Sequence, residues 1–430
     1  MKTRHAVLTL AALALPAVAQ PQDVPLVIRG ARVVPVASPV IEKGTVIVQK
    51  GRILAVGADV AVPPGATVVD GTGRTLYPGL IDALTTIGLQ EIAAVAATLD
   101  TTEVGDMNPQ ARAWVALHPD SELVPVPRAN GVTSVLSAPA GGLVSGQSAL
   151  VRLAGTTPAA MVVKAPAALH VVYPSGRPAF DPSRPEPPEP KTFADRVKDR
   201  DKAQKQALDR LAGLLAEARA YAAGAADTTR PAPETNMVLG ALAPFARGEA
   251  PVVIRADDED EIRSAVAFGS QNGLKLVIAG GLEAWRCAAL LAEKDVAVLV
   301  KVLRLPSRES DPYDAPYANA AALHRAGVRF AIVSDDPEQS RNLPYEAAMA
   351  AAYGLPADAA LRAITLAPAE IFGAADAIGS IAPGREANLV LATGDILDAR
   401  TQVTGVFIGG VAQSLETRHT RLYERYKDRP

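Results

Sequence analysis

The chain has 430 residues, of which 49% are hydrophobic and 21% are charged. This composition is ordinary for a soluble protein, and the length exceeds one average domain, although a (βα)8 barrel alone uses about 250 residues. The net charge of −3 and a pI near 6.0 exclude the strongly basic surface that nucleic-acid binding requires. One cysteine, Cys287, excludes an intrachain disulfide, and its apolar neighbours predict a buried structural thiol rather than a catalytic one.

The first residues have the pattern of a secretory signal. Lys2 and Arg4 precede the apolar stretch 6–18, and Ala17-Val18-Ala19 forms a small-x-small cleavage site. The apolar stretch is too short to span a bilayer, and no later segment predicts a membrane helix. We therefore expect residues 1–19 to be a signal peptide and the mature protein to be exported, to the periplasm if the source is a Gram-negative bacterium.

Short β-branched runs separated by glycines occur at both ends of the chain. The runs are Leu26–Ile28, Arg32–Val36, Thr45–Val48, Ile53–Val56, Ala387–Leu391 and Val403–Ile408. Neither group is long enough for a domain, so together they predict one small, split β-sandwich over residues 24–77 and 381–415. Residues 416–430 mix basic and acidic side chains and predict a solvated terminal helix.

The middle of the chain alternates apolar strand-like runs with helix-like segments. The strand-like runs include Val252–Ala256, Leu274–Ala279, Val296–Val300 and Val328–Val333. Repeated βα units predict an α/β fold with a parallel sheet, and the length favours a TIM-type (βα)8 barrel over residues 78–380. Before these runs, residues 182–190 predict an exposed, stiff Pro-rich loop, which is followed by an amphipathic helix with Leu211 and Leu215 on its apolar face.

Residues 77–86, Tyr-Pro-Gly-Leu-Ile-Asp-Ala-Leu-Thr-Thr, resemble a known motif. The stretch is similar to the Pro-Gly-Leu-Ile-Asp-x-His-x-His signature of the amidohydrolase superfamily, in its exported imidazolonepropionase-like branch. Further blocks resemble that branch in the same order along the chain: Asp70–Arg74, Asn130–Thr133, Ser145–Ser148, Ser334-Asp335, Ala363–Thr365, Gly379–Ile381 and Pro383-Gly384. The resemblance implies a TIM-type barrel with a split β-sandwich.

The resemblance also implies a metal site whose ligands this chain has largely lost. Leu84 and Thr86 stand where the two strand-one histidines are expected, and neither is a good zinc ligand. Arg255 replaces the strand-five histidine, and Gly280 or Gly281 the strand-six histidine. Only Asp335 matches a ligand position, while the lysine position falls either at Lys164 or at Leu169-His170. We therefore expect no cofactor, with a divalent metal such as zinc, held by Asp335 and His170, as the alternative.

The sequence is consistent with three alternative roles for Asp335. It forms an ion pair with Arg255 across the barrel mouth, it caps a helix or loop before Asp336-Pro337, or it holds a residual metal. His170 is the only histidine expected to end a barrel strand, and it is either a site residue or a core histidine.

Two other segments are candidate sites. The carboxylates of Glu91, Asp100, Glu103 and Asp106 form either a solvated acidic loop or an oxygen-rich cation site. The loop Gly141–Gln147 either binds a substrate through its backbone or makes a tight turn.

Three functions are consistent with these patterns. The first is hydrolysis of a carbon–nitrogen bond in an amide or cyclic amide, as the family implies, with Asp335 as the catalytic residue. The second is binding of a small molecule by a catalytically inactive barrel, with Arg255, His170 and Gln147 as contacts and Arg255 as an anion anchor. The third is assembly, either as a homo-oligomer or with a related barrel protein that retains its ligands.

Overall fold

The computed structural model describes residues 24–174, 192–229 and 231–429. The predicted signal peptide (1–19) and the predicted Pro-rich loop (182–190) lie outside the described residues. The strands are β1 Leu26–Val33, β2 Ile41–Gln49, β3 Arg52–Gly57, β4 Thr67–Asp70, β5 Thr75–Pro78, β6 Leu80–Thr85, β7 Val132–Ser137, β8 Val144–Arg152, β9 Val162–Val172, β10 Pro251–Ala256, β11 Lys275–Gly280, β12 Ala297–Val300, β13 Phe330–Ile332, β14 Leu389–Ala392, β15 Val403–Ile408 and β16 Val411–Gln413. The α-helices are α1 Pro125–Ala129, α2 Pro158–Met161, α3 Phe193–Ala226, α4 Met237–Ala246, α5 Glu259–Gln271, α6 Ala288–Glu293, α7 Ala315–Arg325, α8 Leu343–Ala352, α9 Ala357–Ala363, α10 Leu366–Ile371 and α11 Arg418–Tyr426. Short 3-10 helices cover Ala96–Thr98, Ala113–Val115, Ala284–Cys287 and Ser340–Asn342.

The first sheet combines strands from both ends of the chain. Its order is β16-β15-β14-β5-β1-β2-β3, and β4 also pairs with β1. The central contact is antiparallel pairing of β14 with β5, in which Val390 lies opposite Tyr77. Inward-facing Ile28, Leu76 and Leu389 form one apolar core in this sheet. A separate sheet built from both chain ends is therefore present, while the residue bounds of the predicted domains stay a prediction.

The second sheet is a nearly closed barrel of eight strands in the order β6 to β13. The gap between β13 and β6 is bridged by the Asp335 backbone N–H, which donates to the Leu84 carbonyl oxygen at 3.1 Å. The predicted mixed α/β fold with a barrel is thus confirmed. Within the described residues, no helix is both long and apolar enough to cross a bilayer.

One strand departs from the all-parallel pattern of a (βα)8 barrel. β8 runs antiparallel to both β7 and β9. The turn between β7 and β8 contains Gly141 and Gly142, both with positive φ, and a Cβ at Gly142 would lie 2.9 Å from the Asp106 carbonyl oxygen. Because this turn is only a few residues long, the chain has no room for a crossover helix and must reverse direction.

Apolar packing fills the barrel and covers its outside. Val253, Val277 and Leu299 point inward and share a cluster with Phe372, which follows α10. Outside the barrel, α5 buries Ile262, Val266 and Phe268, and α3 buries Leu211, Leu215 and Ala218. Helix α11 buries none of its residues, as expected for a solvated terminal helix.

Candidate functional site

A cavity of about 260 Å³ opens where the barrel strands end. Its wall comes from β6, the β7–β8 turn, β9, β10, β11 and the segment after β13. Five positions singled out in the sequence line it: Leu84, Thr86, His170, Arg255 and Asp335. Most of the remaining wall is apolar, so the polar chemistry of the cavity is concentrated in a few side chains.

Arg255 and Asp335 form a two-point ion pair in this cavity. Nη1 of Arg255 donates to Oδ2 of Asp335 at 2.8 Å, and Nη2 donates to Oδ1 at 2.5 Å. The parallel arrangement of two N–H groups and two carboxylate oxygens is the strongest form of such a pair. The hydrogen bonds that Arg255 donates to Asp335 raise the pKa of Arg255, so the guanidinium stays charged. Of the three alternatives for Asp335, the structure contains the ion pair.

The backbone holds Asp335 in an uncommon conformation. Its φ is 53°, in the left-handed region that aspartate and asparagine tolerate better than most residues. The preceding strand, β13, ends at Ile332, and the Asp335 N–H bonds to β6 rather than continuing a strand. This turn directs the carboxylate towards Arg255 at the mouth of the barrel.

His170 is a neutral member of the cavity wall. Its Nε2 lies 2.8 Å from Oγ of Ser148, and the hydroxyl of Ser148 donates to the Ala168 carbonyl oxygen at 3.4 Å. Burial, reinforced by the positive charge of Arg255, lowers the pKa of His170 to about 3. The imidazole is therefore uncharged near neutral pH. It can donate one hydrogen bond and accept another, and it adds no charge to the cavity.

Comparison with known proteins finds similarity to amidohydrolases. Residues 295–412 match the amidohydrolase family model. The crystal structure of an amidohydrolase from Thermotoga maritima MSB8 is similar, with 26% sequence identity and a TM-score of 0.77 over 90% of this chain and 99% of that one. Part of the chain thus matches the amidohydrolase family, and its fold is similar to that of a solved amidohydrolase.

Two further comparisons show less. Molinate hydrolase is 15% identical, with a TM-score of 0.57 over 91% of this chain and 95% of that one, and shows the fold alone. The amidohydrolase tasK of Hapsidospora irregularis is 36% identical over 92 residues, which are 21% of this chain. The chain spans only 9% of the length of that curated relative.

The side chains that line this cavity do not fit a catalytic zinc. Among the described residues, no group of three His, Cys, Asp or Glu side chains is arranged so that it could hold a metal ion. Both Asp335 oxygens already accept hydrogen bonds from Arg255, whose positive charge repels a cation. Leu84 and Thr86 line the cavity at the positions where the family resemblance implies histidines. A catalytic zinc normally has three protein ligands, and His170 with Asp335 supply at most two.

In β11, the residue that faces the cavity is one position before the predicted Gly280. Ala279, not Gly280, is the residue of β11 that lines the cavity. Gly280 has a φ of 93°, and a Cβ there would lie 2.6 Å from Oδ1 of Asp257. Gly280 therefore serves the turn after the strand, and no side chain at this position faces the cavity.

Gln147, predicted to bind substrate, does not line the cavity. Its Nε2 donates to the carbonyl oxygens of Pro109 at 2.8 Å and Ala241 at 3.3 Å, so the buried amide ties β8 to α4. Ser145, two residues earlier, lines the cavity instead and is buried. The Ser145–Ser148 block predicts that this segment lies at the site, but it does not indicate which of its side chains face the cavity.

The other sequence candidates lie elsewhere. Lys164 is near the start of β9, away from the mouth, and its Nζ donates to the Gly373 carbonyl oxygen at 3.0 Å. Cys287 is buried, and burial raises the pKa of its thiol to about 11, as a structural cysteine requires. In the acidic segment, Asp106 pairs with Arg210 at 3.3 Å and Asp100 with His118 at 3.6 Å. These carboxylates use separate partners and do not converge.

The sequence predicted no role for Asp82, a buried carboxylate. Asp82 accepts hydrogen bonds from the Ser334 backbone N–H at 3.1 Å and from the Ser334 hydroxyl at 2.5 Å. Burial raises the pKa of Asp82 to about 6, although these hydrogen bonds favour the charged form. We call Asp82 and Ser334 the seam, because they join β6 to the segment after β13.

Proposed function

We propose that this amidohydrolase-family protein binds a small molecule in the barrel-mouth cavity, without hydrolysis by a resident divalent metal. The single observation that carries the proposal is the ion pair of Arg255 with Asp335. It places a guanidinium where the family resemblance implies a metal ion.

The replacement residues support this proposal in different ways. A divalent cation would have to displace Arg255 from both oxygens of Asp335 and would gain no ligand from Leu84 or Ala279. The same residues leave an apolar wall with a few polar groups, which is typical of sites that bind small molecules.

Hydrolysis of a carbon–nitrogen bond is the second candidate function. The likeness to the Thermotoga maritima amidohydrolase over 90% of this chain favours it. In that case Asp335 would transfer the proton, and the substrate would be an amide or cyclic amide. Export through residues 1–19, a periplasmic location and pairing with itself or with a related barrel stay predictions.

Metal content separates the two functions. The full chain is dialysed after incubation with excess zinc, and bound metal is measured by mass spectrometry beside Asp335→Ala and, as a control, His118→Ala. We expect zinc far below one equivalent and no difference among the three proteins. About one equivalent of zinc in the wild type, lost together with amide hydrolysis only in Asp335→Ala, would overturn the proposal.

A further inference from the structure

The charged side chains that line the cavity cancel each other. Among the described lining residues, Arg255 carries the positive charge and Asp335 the negative charge, and each neutralises the other at hydrogen-bond distance. The third titratable side chain in the wall is His170, which burial keeps neutral. The cavity therefore has no net charge near neutral pH, and the fork of Arg255 that would anchor an anion is already filled.

We infer that the cavity selects a compact, uncharged ligand that carries a hydrogen-bond acceptor such as a carbonyl oxygen. This inference rests on the proposed binding function and specifies its ligand class. It replaces the expectation that Arg255 anchors an anion.

Arg255 still has donors for such a ligand. A guanidinium has five N–H groups, and the pair with Asp335 uses one on each terminal nitrogen. The side chain is 40% exposed, whereas that of Asp335 is 17% exposed. A ligand oxygen can therefore reach the free N–H groups without breaking the ion pair.

The ion pair makes the binding of charged ligands unfavourable. An anion that bound Arg255 would approach the carboxylate of Asp335, and a cation that bound Asp335 would approach the guanidinium. A charged ligand would lose its hydration on entering the cavity, and the cavity offers no net opposite charge in return. A neutral ligand has a much smaller desolvation cost. The paired charges thus act against both classes of charged ligand.

The remaining wall limits the size and polarity of the ligand. The volume of about 260 Å³ lies below the roughly 300 to 1,000 Å³ of pockets for drug-sized molecules. Leu84, Val253 and Ala279 offer apolar contact, while Ser145 and His170 offer further hydrogen-bonding groups. This combination fits a small apolar body with one polar end.

The test compares ligands of equal shape and different charge. Benzamide, benzoate and benzamidine are titrated at pH 7 by ligand-observed NMR, together with the same three derivatives of cyclopentane. Ala140→Trp, a substitution of an exposed residue on the cavity rim, identifies binding that occurs in the cavity. For the wild type we expect the amides to bind at least about tenfold more tightly than their charged counterparts.

Charge variants make the test specific to the ion pair. Asp335→Asn removes the negative charge, and asparagine tolerates the left-handed φ at this position. It should shift the preference about tenfold towards the carboxylates, and Arg255→Gln should shift it as far towards the amidines. The double variant restores zero net charge and should again prefer the amides.

The outcomes distinguish the inference from the function on which it rests. If no probe binds in a manner that Ala140→Trp abolishes, the proposed binding function fails. If probes bind in the cavity but the wild type prefers benzoate or benzamidine, or Asp335→Asn leaves the preference unchanged, binding stands and the inference is overturned.

Discussion

Ser334 and Asp335 are adjacent in the chain but belong to regions that accommodate a carboxylate in different ways. At the seam, the fully buried Asp82 is held by the backbone N–H and the hydroxyl of Ser334, both neutral donors. At the mouth, the half-buried Arg255 supplies a full positive charge to Asp335. Neutral donors offset only part of the cost of burying a charge. The part that is not offset raises the pKa of Asp82. The seam therefore serves structure, whereas the mouth keeps a partly exposed pair without net charge that is available to a ligand.

The largest expected effect breaks the seam. Asp82→Ala removes the acceptor for both Ser334 donors and leaves a void, so the free energy of unfolding should fall by about 3 kcal/mol. Asp82→Asn keeps an acceptor of the same shape and is the matched control, which should retain most of the stability. Urea unfolding at pH 7 measures both. An equal loss in Asp335→Ala would show that the two regions do not differ as described.

The seam should also make stability depend on pH. The folded-state pKa of Asp82, about 6, lies above the ordinary value of 3.8, so the folded protein holds this proton more tightly than the unfolded chain. The contribution is complete below pH 3.8 and is lost as pH rises through 6. Between pH 4 and pH 7 the wild type should lose about 2 kcal/mol relative to Asp82→Asn. Urea unfolding of both proteins across this range gives the difference, and a constant difference would contradict the assignment.

The mouth should show the opposite pH dependence through His170. Its pKa is lowered from 6.5 to about 3, so the unfolded chain binds this proton more readily than the folded protein. The stabilising contribution is complete above pH 6.5 and is lost as pH falls towards 3. From pH 7 to pH 5.5, the wild type should lose about 1 kcal/mol relative to His170→Gln. Thermal unfolding of the pair of proteins tests this, and a gain on acidification would contradict it.

The smallest effect concerns the ion pair itself. Because Arg255 is 40% exposed, water screens its attraction to Asp335, and the coupling energy should stay below about 1 kcal/mol. A double-mutant cycle with Arg255→Gln and Asp335→Asn measures this coupling by urea unfolding. A coupling of several kcal/mol would make the pair a structural element like the seam, rather than a ligand-selecting one.

Sequence patterns predicted the site where a motif fixed the register of a strand. Leu84 and Thr86 follow from the Pro-Gly-Leu-Ile-Asp block, and Arg255 follows from the end of an apolar run; all three line the cavity. The predicted position Gly280 follows Ala279, which lines the cavity, and successive residues of a strand face opposite sides. Gln147 is predicted from the Ser145–Ser148 block, which does not indicate which of its side chains face the cavity, and the pairing of this strand with β9 is irregular.

Other features depend on contacts that no local pattern contains. The hydrogen bonds of Asp82 to Ser334 join residues 252 positions apart, so nothing around Asp82 indicates its partner. The antiparallel β8 had a usable signal, because Gly141-Gly142 separates two apolar runs, as in a β-hairpin. The expectation of repeated βα units took precedence over that signal.

Only Gly79 separates β5 of the first sheet from β6 of the barrel. One edge of β5 pairs with β1, and the other edge pairs with β14. During folding, that second edge of β5 stays unpaired until Leu389–Ala392, which follows all barrel strands in the chain, pairs with it. Open strand edges promote association between chains. Chaperones should therefore capture chains in which this late strand has not yet paired.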